Sequence, residues 1–151
     1  MSRLLSKKIL QMEFGQFEVL KIEKQNQEYE GMIIKSEEMG IKIRSRLAKK
    51  TPKKEGYFVT FWEKDESGEN QAFSYEEIAM LVVVVVDGEK QGFFAFPKKV
   101  LIDKGIAKAE NKNGKMAMRV YPEWSQDLNK AAQRTQKWQK DYFYSLEREI
   151  G

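Results

Sequence analysis

The sequence predicts an α+β fold, a single domain over residues 1–151 in which one mixed β-sheet is flanked by helices, and three observations predict it. Residues Met80 to Val86 are apolar at every position, as a central strand buried on both faces should be. Around that run lie short segments with alternating or aromatic and β-branched patterns, each bounded by turn residues. Near both ends, apolar side chains recur at helical spacing instead. A chain of 151 residues, 41% hydrophobic and 12% aromatic, buries roughly two-thirds of its unfolded surface without help from disulfides or metals.

Each element has its own signal. Leu4, Leu5, Ile9 and Met12 predict a short opening helix over 2–12, with Ser2 as its cap. Phe17 to Ile22 fits helix or strand. Gly31 to Lys35, Ile41 to Ala48 and Tyr57 to Glu63 read as strands. Ser74-Tyr-Glu-Glu77 has the form of a capping box and predicts a short helix. Asp87-Gly88 turns the valine strand into an aromatic one, Gly92 to Phe96. Pro97 then opens a helix over Lys98 to Lys104 that Gly105 closes. Asn111 to Gly114 is a turn and Met116 to Tyr121 a strand. From Ser125 to Glu149, the spacing of Leu128, Ala131, Ala132, Thr135, Trp138, Tyr142 and Leu146 predicts a long C-terminal helix facing the sheet.

Composition removes whole classes of chemistry. The chain has no cysteine and no histidine, which excludes thiolate nucleophiles, zinc–thiolate sites, imidazole ligands and the histidine-dependent triads. No metal or cofactor is expected. The N-terminal stretch lacks the apolar core of a signal peptide. The longest apolar run, Ile78 to Val86, is far short of the ~20 residues a membrane helix needs. The expectation is a cytoplasmic protein without membrane insertion. Its oligomeric state stays open.

Charge is the feature that points outward. Residues 1–60 carry 13 basic and 8 acidic side chains, residues 61–90 carry 2 and 8, and residues 91–151 carry 12 and 7. The densest basic stretch runs from Lys42 to Lys54, with seven cations and no acid. Alternation puts Ile41, Ile43 and Leu47 on one strand face and Lys42, Arg44 and Arg46 on the other. Such a row repels itself unless something neutralises it. A phosphate backbone is one candidate, and the acidic segment Glu63 to Glu77, lying opposite, is another. Lys49, Thr51 and Lys54 continue the stretch into a loop stiffened by Pro52. A second group lies nearer the C-terminus: Arg119 beside Tyr121 and Trp124, then Lys130, Arg134 and Lys137 on the polar helix face. There Gln136 and Gln139 are placed to reach phosphates or bases, whereas Trp138 falls on the apolar stripe and reads as core.

The stretch Arg46-Leu-Ala-Lys-Lys-Thr-Pro-Lys-Lys-Glu-Gly-Tyr-Phe-Val-Thr-Phe-Trp62 resembles the MepB-like family. Glu28-Tyr29, Phe96-Pro-Lys98, Val100-Leu101, Lys104-Gly-Ile106, Arg119-Val-Tyr-Pro122, Trp124 and Thr135-Gln-Lys-Trp-Gln139 extend the likeness over nearly the whole chain. It implies a bacterial protein, often encoded near a multidrug efflux pump and its regulator, and a fold similar to that of restriction endonucleases. It assigns no activity. Endonucleases of that fold hold Mg²⁺ on carboxylates, one of them two residues before a lysine. Position 47, two before Lys49, is a leucine, and the Glu110-Asn-Lys112 triplet falls in a turn. Glu28, Glu30, Glu63 and Asp87 remain as carboxylates that folding would have to gather.

The leading expectation is a nucleic-acid-binding domain, DNA favoured, acting without catalysis through Lys42, Arg44, Arg46, Lys49, Thr51 and Lys54, with Arg119, Arg134 and Gln136 assisting. The rivals are a divergent metal-dependent nuclease and a binder of a small anionic ligand in a pocket formed by Arg46, Lys49, Thr51 and Arg119.

Overall fold

A computed structural model describes residues 5–146 of the chain. The opening helix α1 spans Leu5–Phe14 and strand β1 spans Phe17–Ile22, which settles that segment as strand. A 3-10 segment, Lys24–Tyr29, leads to β2 (Met32–Ser36), β3 (Lys42–Leu47), β4 (Lys49–Lys50) and β5 (Tyr57–Thr60). Two short strands, β6 (Glu63–Lys64) and β7 (Asn70–Gln71), form a hairpin of their own before β8 (Met80–Asp87) and β9 (Lys90–Pro97). Helix α2 (Lys98–Asp103), strand β10 (Ala117–Val120), helix α3 (Lys130–Gln139), a 3-10 turn (Lys140–Tyr142) and strand β11 (Phe143–Ser145) complete the described residues. The cap expected at Ser2 lies outside them.

The main sheet has six strands in the order β1-β2-β3-β8-β9-β11. It is mixed, as expected, because β3 and β8 run parallel while every other neighbouring pair is antiparallel. The valine strand is central, and its residues from Leu81 to Val85 are all buried. Its two faces serve two cores. Val82 and Val84 join Ile34, Ile43 and Leu47 under Ile9 and Leu10 of α1. Leu81, Val83 and Val85 join Phe94 and Phe96 against Tyr57, Val59 and Val120. Those last three belong to a second, three-stranded sheet, β10-β5-β4, which packs face to face on the first. The small sheet therefore has one apolar face turned inward and one turned away.

Two expected helices are corrected. Ser74 to Glu77 forms no helix: Tyr75 and Glu77 have φ of 63° and 62°, which a right-handed helix forbids. Tertiary packing overrides the capping-box signal because the Tyr75 ring is drawn into the core, fully buried. The C-terminal helix is also much shorter than expected. It begins at Asn129, whose side chain accepts from the Ala132 amide at 2.8 Å, and ends at Gln139. The chain then pairs with β9, Phe143 opposite Phe94 and Ser145 opposite Gly92. A Cβ on Gly92 would sit 2.5 Å from the Phe143 ring, so the missing side chain makes room for it. Tyr144 stacks on Phe93 with centroids 5.0 Å apart. Covering the edge of β9 and stacking two aromatics outweigh one more turn of a polar helix. Glu147 to Glu149 of the expected helix lie outside the described residues.

No helix among the described residues is long and apolar enough to cross a membrane.

Candidate functional site

The alternation read on β3 is real, but its basic face is not a surface. Arg44 and Arg46 are fully buried and Glu23 is 1% exposed. The Glu23 carboxylate sits between them, accepting from Arg44 Nη2 and Arg46 Nη1 at 2.8 Å each and from Arg44 Nε at 3.0 Å. Arg46 Nε donates to the Thr60 carbonyl at 2.9 Å, tying β3 to the small sheet. Burial alone would raise the Glu23 pKa, but the hydrogen bonds and charges of the two arginines outweigh it and hold the carboxyl down at about 2. Arg44 and Arg46 are thus no part of an open phosphate-binding face. Their neutralising partner is Glu23, from the segment before β2, and not the acidic stretch 63–77. Among the described residues the carboxylates of that stretch form one ion pair, Glu77 with Lys42 at 3.5 Å on the surface.

The loop after β3 behaves differently. Lys49 is opposite Phe58, and Phe58 is opposite Arg119, so the three share the outward face of the small sheet. Lys49 and Lys54 are exposed, with Lys49 Nζ 5.6 Å from the centre of the Tyr29 ring. Arg119 does not point freely into solvent. Its Nη2 donates to Thr51 Oγ1 at 2.6 Å and to the Lys54 carbonyl at 3.2 Å, and its Nε donates to the Glu55 carbonyl at 3.1 Å. Arg119 and Thr51 do converge, then, but as the brace of the lysine loop. Gly56 closes that loop at φ +83°, where a Cβ would meet the Tyr121 ring at 2.6 Å.

Beside this face a cleft of about 230 Å³ opens between β10 and α3, lined by Lys104, Lys115, Arg119, Tyr121, Thr135 and Trp138 among others. Lys104 Nζ lies 5.2 Å from the Trp138 ring centre, while Trp138 also packs on core Phe96, the centroids 5.5 Å apart. Arg134 is exposed on the same helix. Gln136 is committed inward, donating to the Pro122 carbonyl at 2.9 Å. Gln139 is fully buried; it accepts from the Tyr121 amide at 2.9 Å and donates to the Arg119 carbonyl at 3.1 Å. It thereby serves the edge of β10 as a neighbouring strand would. Among the described residues Lys49, Lys54, Lys104, Lys115 and Arg134 have no carboxylate within 4.0 Å, whereas Lys50 reaches Asp87 at 3.8 Å.

The carboxylates do not gather. Among the described residues no three His, Cys, Asp or Glu side chains are arranged to hold a metal. Glu30 accepts from the Ser6 amide and hydroxyl at 2.9 and 2.8 Å, satisfying the start of α1. Asp87 accepts from the Tyr57 hydroxyl at 2.6 Å. Burial and that contact push the Tyr57 phenol up to about 12, so it remains protonated.

Compared with known proteins, the chain matches the MepB-like family model over residues 23–145. The chain belongs to the MepB-like family. The crystal structure of MepB is 44% identical to this MepB-like chain with a TM-score of 0.83, covering 97% of this chain and 100% of that one. Among curated proteins none matches. The match encloses Glu23, β3, the lysine loop, β10 and α3, so both basic regions lie inside the family's own extent.

Proposed function

We propose that this MepB-like chain is a cytoplasmic nucleic-acid-binding domain, acting without catalysis, whose phosphate contacts come from the outward face of the small sheet and the rim of the adjoining cleft. Lys49 and Lys54 lead, joined by Lys104, Lys115 and Arg134. One observation carries the reading: Lys49, exposed and with no carboxylate within 4.0 Å among the described residues, stands in register with Phe58 and 5.6 Å from the Tyr29 ring centre, and the loop that carries it and Lys54 is braced by Arg119–Thr51. Cations interleaved with aromatic rings suit a phosphate backbone with bases alongside. The restriction-endonuclease-like architecture implied by the family resemblance belongs to the same proposal, supported by a mixed sheet with helices about it. The metal-nuclease alternative has less behind it, since Glu30 and Asp87 are engaged by Ser6 and Tyr57.

The test is fluorescence anisotropy with labelled single- and double-stranded DNA, then RNA, across a salt series, repeated with Mg²⁺ on a gel. Binding should weaken linearly on a log–log plot, by about 0.9 per phosphate contacted on duplex. Changing Lys49 and Lys54 to Ala should reduce that slope. No binding at low salt would sink the proposal, and metal-dependent cleavage would replace it with the nuclease.

A second reading rests on the concavity of the cleft at Lys104, Lys115 and Trp138, which suits a small anionic ligand. Inorganic phosphate or a mononucleotide that binds there but does not compete with DNA would favour it.

A further inference from the structure

The Glu23–Arg44–Arg46 cluster carries two positive charges and one negative, all essentially out of water. Its donors are also incompletely used: Arg44 Nη1, Arg46 Nη2 and the Tyr75 hydroxyl have no hydrogen-bond partner. A buried donor without an acceptor is costly, and more so on a charged group. The Phe73 ring does not serve as that acceptor, although Arg44 Cζ stacks 3.7 Å from its centre. Stacking covers the guanidinium face, whereas its N–H bonds point outward in the plane. Tyr75 stands beside the same groups, with Arg44 Cζ 5.5 Å from its ring centre. Burial raises its phenol pKa against the charges of both arginines and the nearby Arg44 N–H, so the hydroxyl stays protonated, its own hydrogen without an acceptor.

The backbone is strained to keep it there. Tyr75 holds φ at 63° with a fully buried ring, a left-handed conformation that non-glycine side chains rarely adopt. Three polar atoms without a hydrogen-bond partner and one uncompensated positive charge thus lie on fully buried side chains packed against one another and against the Phe73 ring. A water would accept hydrogen bonds and leave the charge. A carboxylate ligand or phosphate ester would not enter a site with no exposed atoms among its guanidinium groups.

We infer that Arg44 Nη1, Arg46 Nη2 and the Tyr75 hydroxyl bind a small monovalent inorganic anion of about the size of chloride, resident in the core and neutralising the cluster. The site is distinct from the polyanion face and does not depend on it.

Bromide is the probe. Crystals of the full chain grown in sodium bromide, with data collected at the bromine absorption edge, should show an anomalous peak bounded by those three atoms. In solution, the thermal midpoint should rise saturably, by a few degrees (about 2–5 °C), as bromide replaces gluconate at constant ionic strength. Arg46→Met leaves Glu23 and Arg44 as a neutral pair, and its midpoint should ignore bromide. Should that variant not fold, Tyr75→Phe keeps both charges, removes one donor and should weaken bromide binding several-fold. No anomalous peak, or equal midpoints in bromide and gluconate for the unsubstituted chain, would overturn the inference.

Discussion

Arg46 and Lys49 stand three positions apart in one uninterrupted basic stretch, yet one is fully buried and the other exposed. Arg46 lies on a strand between two other strands, under the small sheet, where its charge must be met by protein. Lys49 lies on the outer strand of that small sheet, where water meets it. Charge density along the chain therefore says little about charge at the surface. What separates the two is whether another layer packs on that face of the strand. The arginine fork also suits burial, since it spreads one charge over several directed hydrogen bonds, whereas lysine's compact ammonium holds its water more tightly.

The comparison can be broken most severely at Glu23. Glu23→Gln should destabilise the fold by about 3–5 kcal/mol in urea titration, because two buried guanidinium groups lose their counter-charge. A loss below 1 kcal/mol would mean that the cluster is more accessible to water than its burial indicates. The same carboxyl predicts a pH dependence. Its folded pKa, about 2, lies below the ordinary 4.5, so its contribution is complete above pH 4.5. It fades as the pH falls through the interval down to 2, amounting to about 3 kcal/mol at about 1.4 per unit. Glu23→Gln should flatten that acid limb, which denaturation midpoints between pH 2 and 6 will show.

The exposed half of the comparison should respond in the opposite sense. Lys49→Ala with Lys54→Ala should leave stability within about 0.5 kcal/mol while lowering the salt slope of DNA binding by about 1.8, at 0.9 per lost contact. An unchanged slope would remove both lysines from the interface. Arg44→Ala with Arg46→Ala is uninformative about binding, since any lost affinity would follow from lost folding. The smallest effect is the most discriminating. Thr51→Val removes the 2.6 Å contact with Arg119 and the 3.5 Å donation to the Lys54 carbonyl, should cost about 1 kcal/mol or less, and should still weaken DNA binding several-fold if the brace presents the lysine loop. Full affinity in that variant would show that the loop holds its shape without it.

Much of the fold was legible because it rests on local patterns. The valine run announced a central strand, period-two alternation placed β3, and Asp87-Gly88 marked the hairpin between β8 and β9. The signals that failed were local ones with a distant competitor. Ser74 to Glu77 has a helical start, but the core claims the Tyr75 ring. The apolar spacing after Gln139 is helical, but the edge of β9 and the gap at Gly92 claim Phe143. Gln139 carried one usable signal: a polar residue beside Trp138 near the apolar stripe needs a buried partner, and the edge of β10 supplies it.

The sequence by itself determined the mixed α+β class, the central strand, the absence of thiol and imidazole chemistry, and a basic stretch from Lys42 to Lys54 whose strand portion alternates in and out. Only the tertiary structure decided which of those cations face water. That depends on Glu23, some 20 residues away along the chain, and on a second sheet packed over one face of β3. The desolvation of a charge is set by everything that packs around it, and no window of neighbouring residues contains that information.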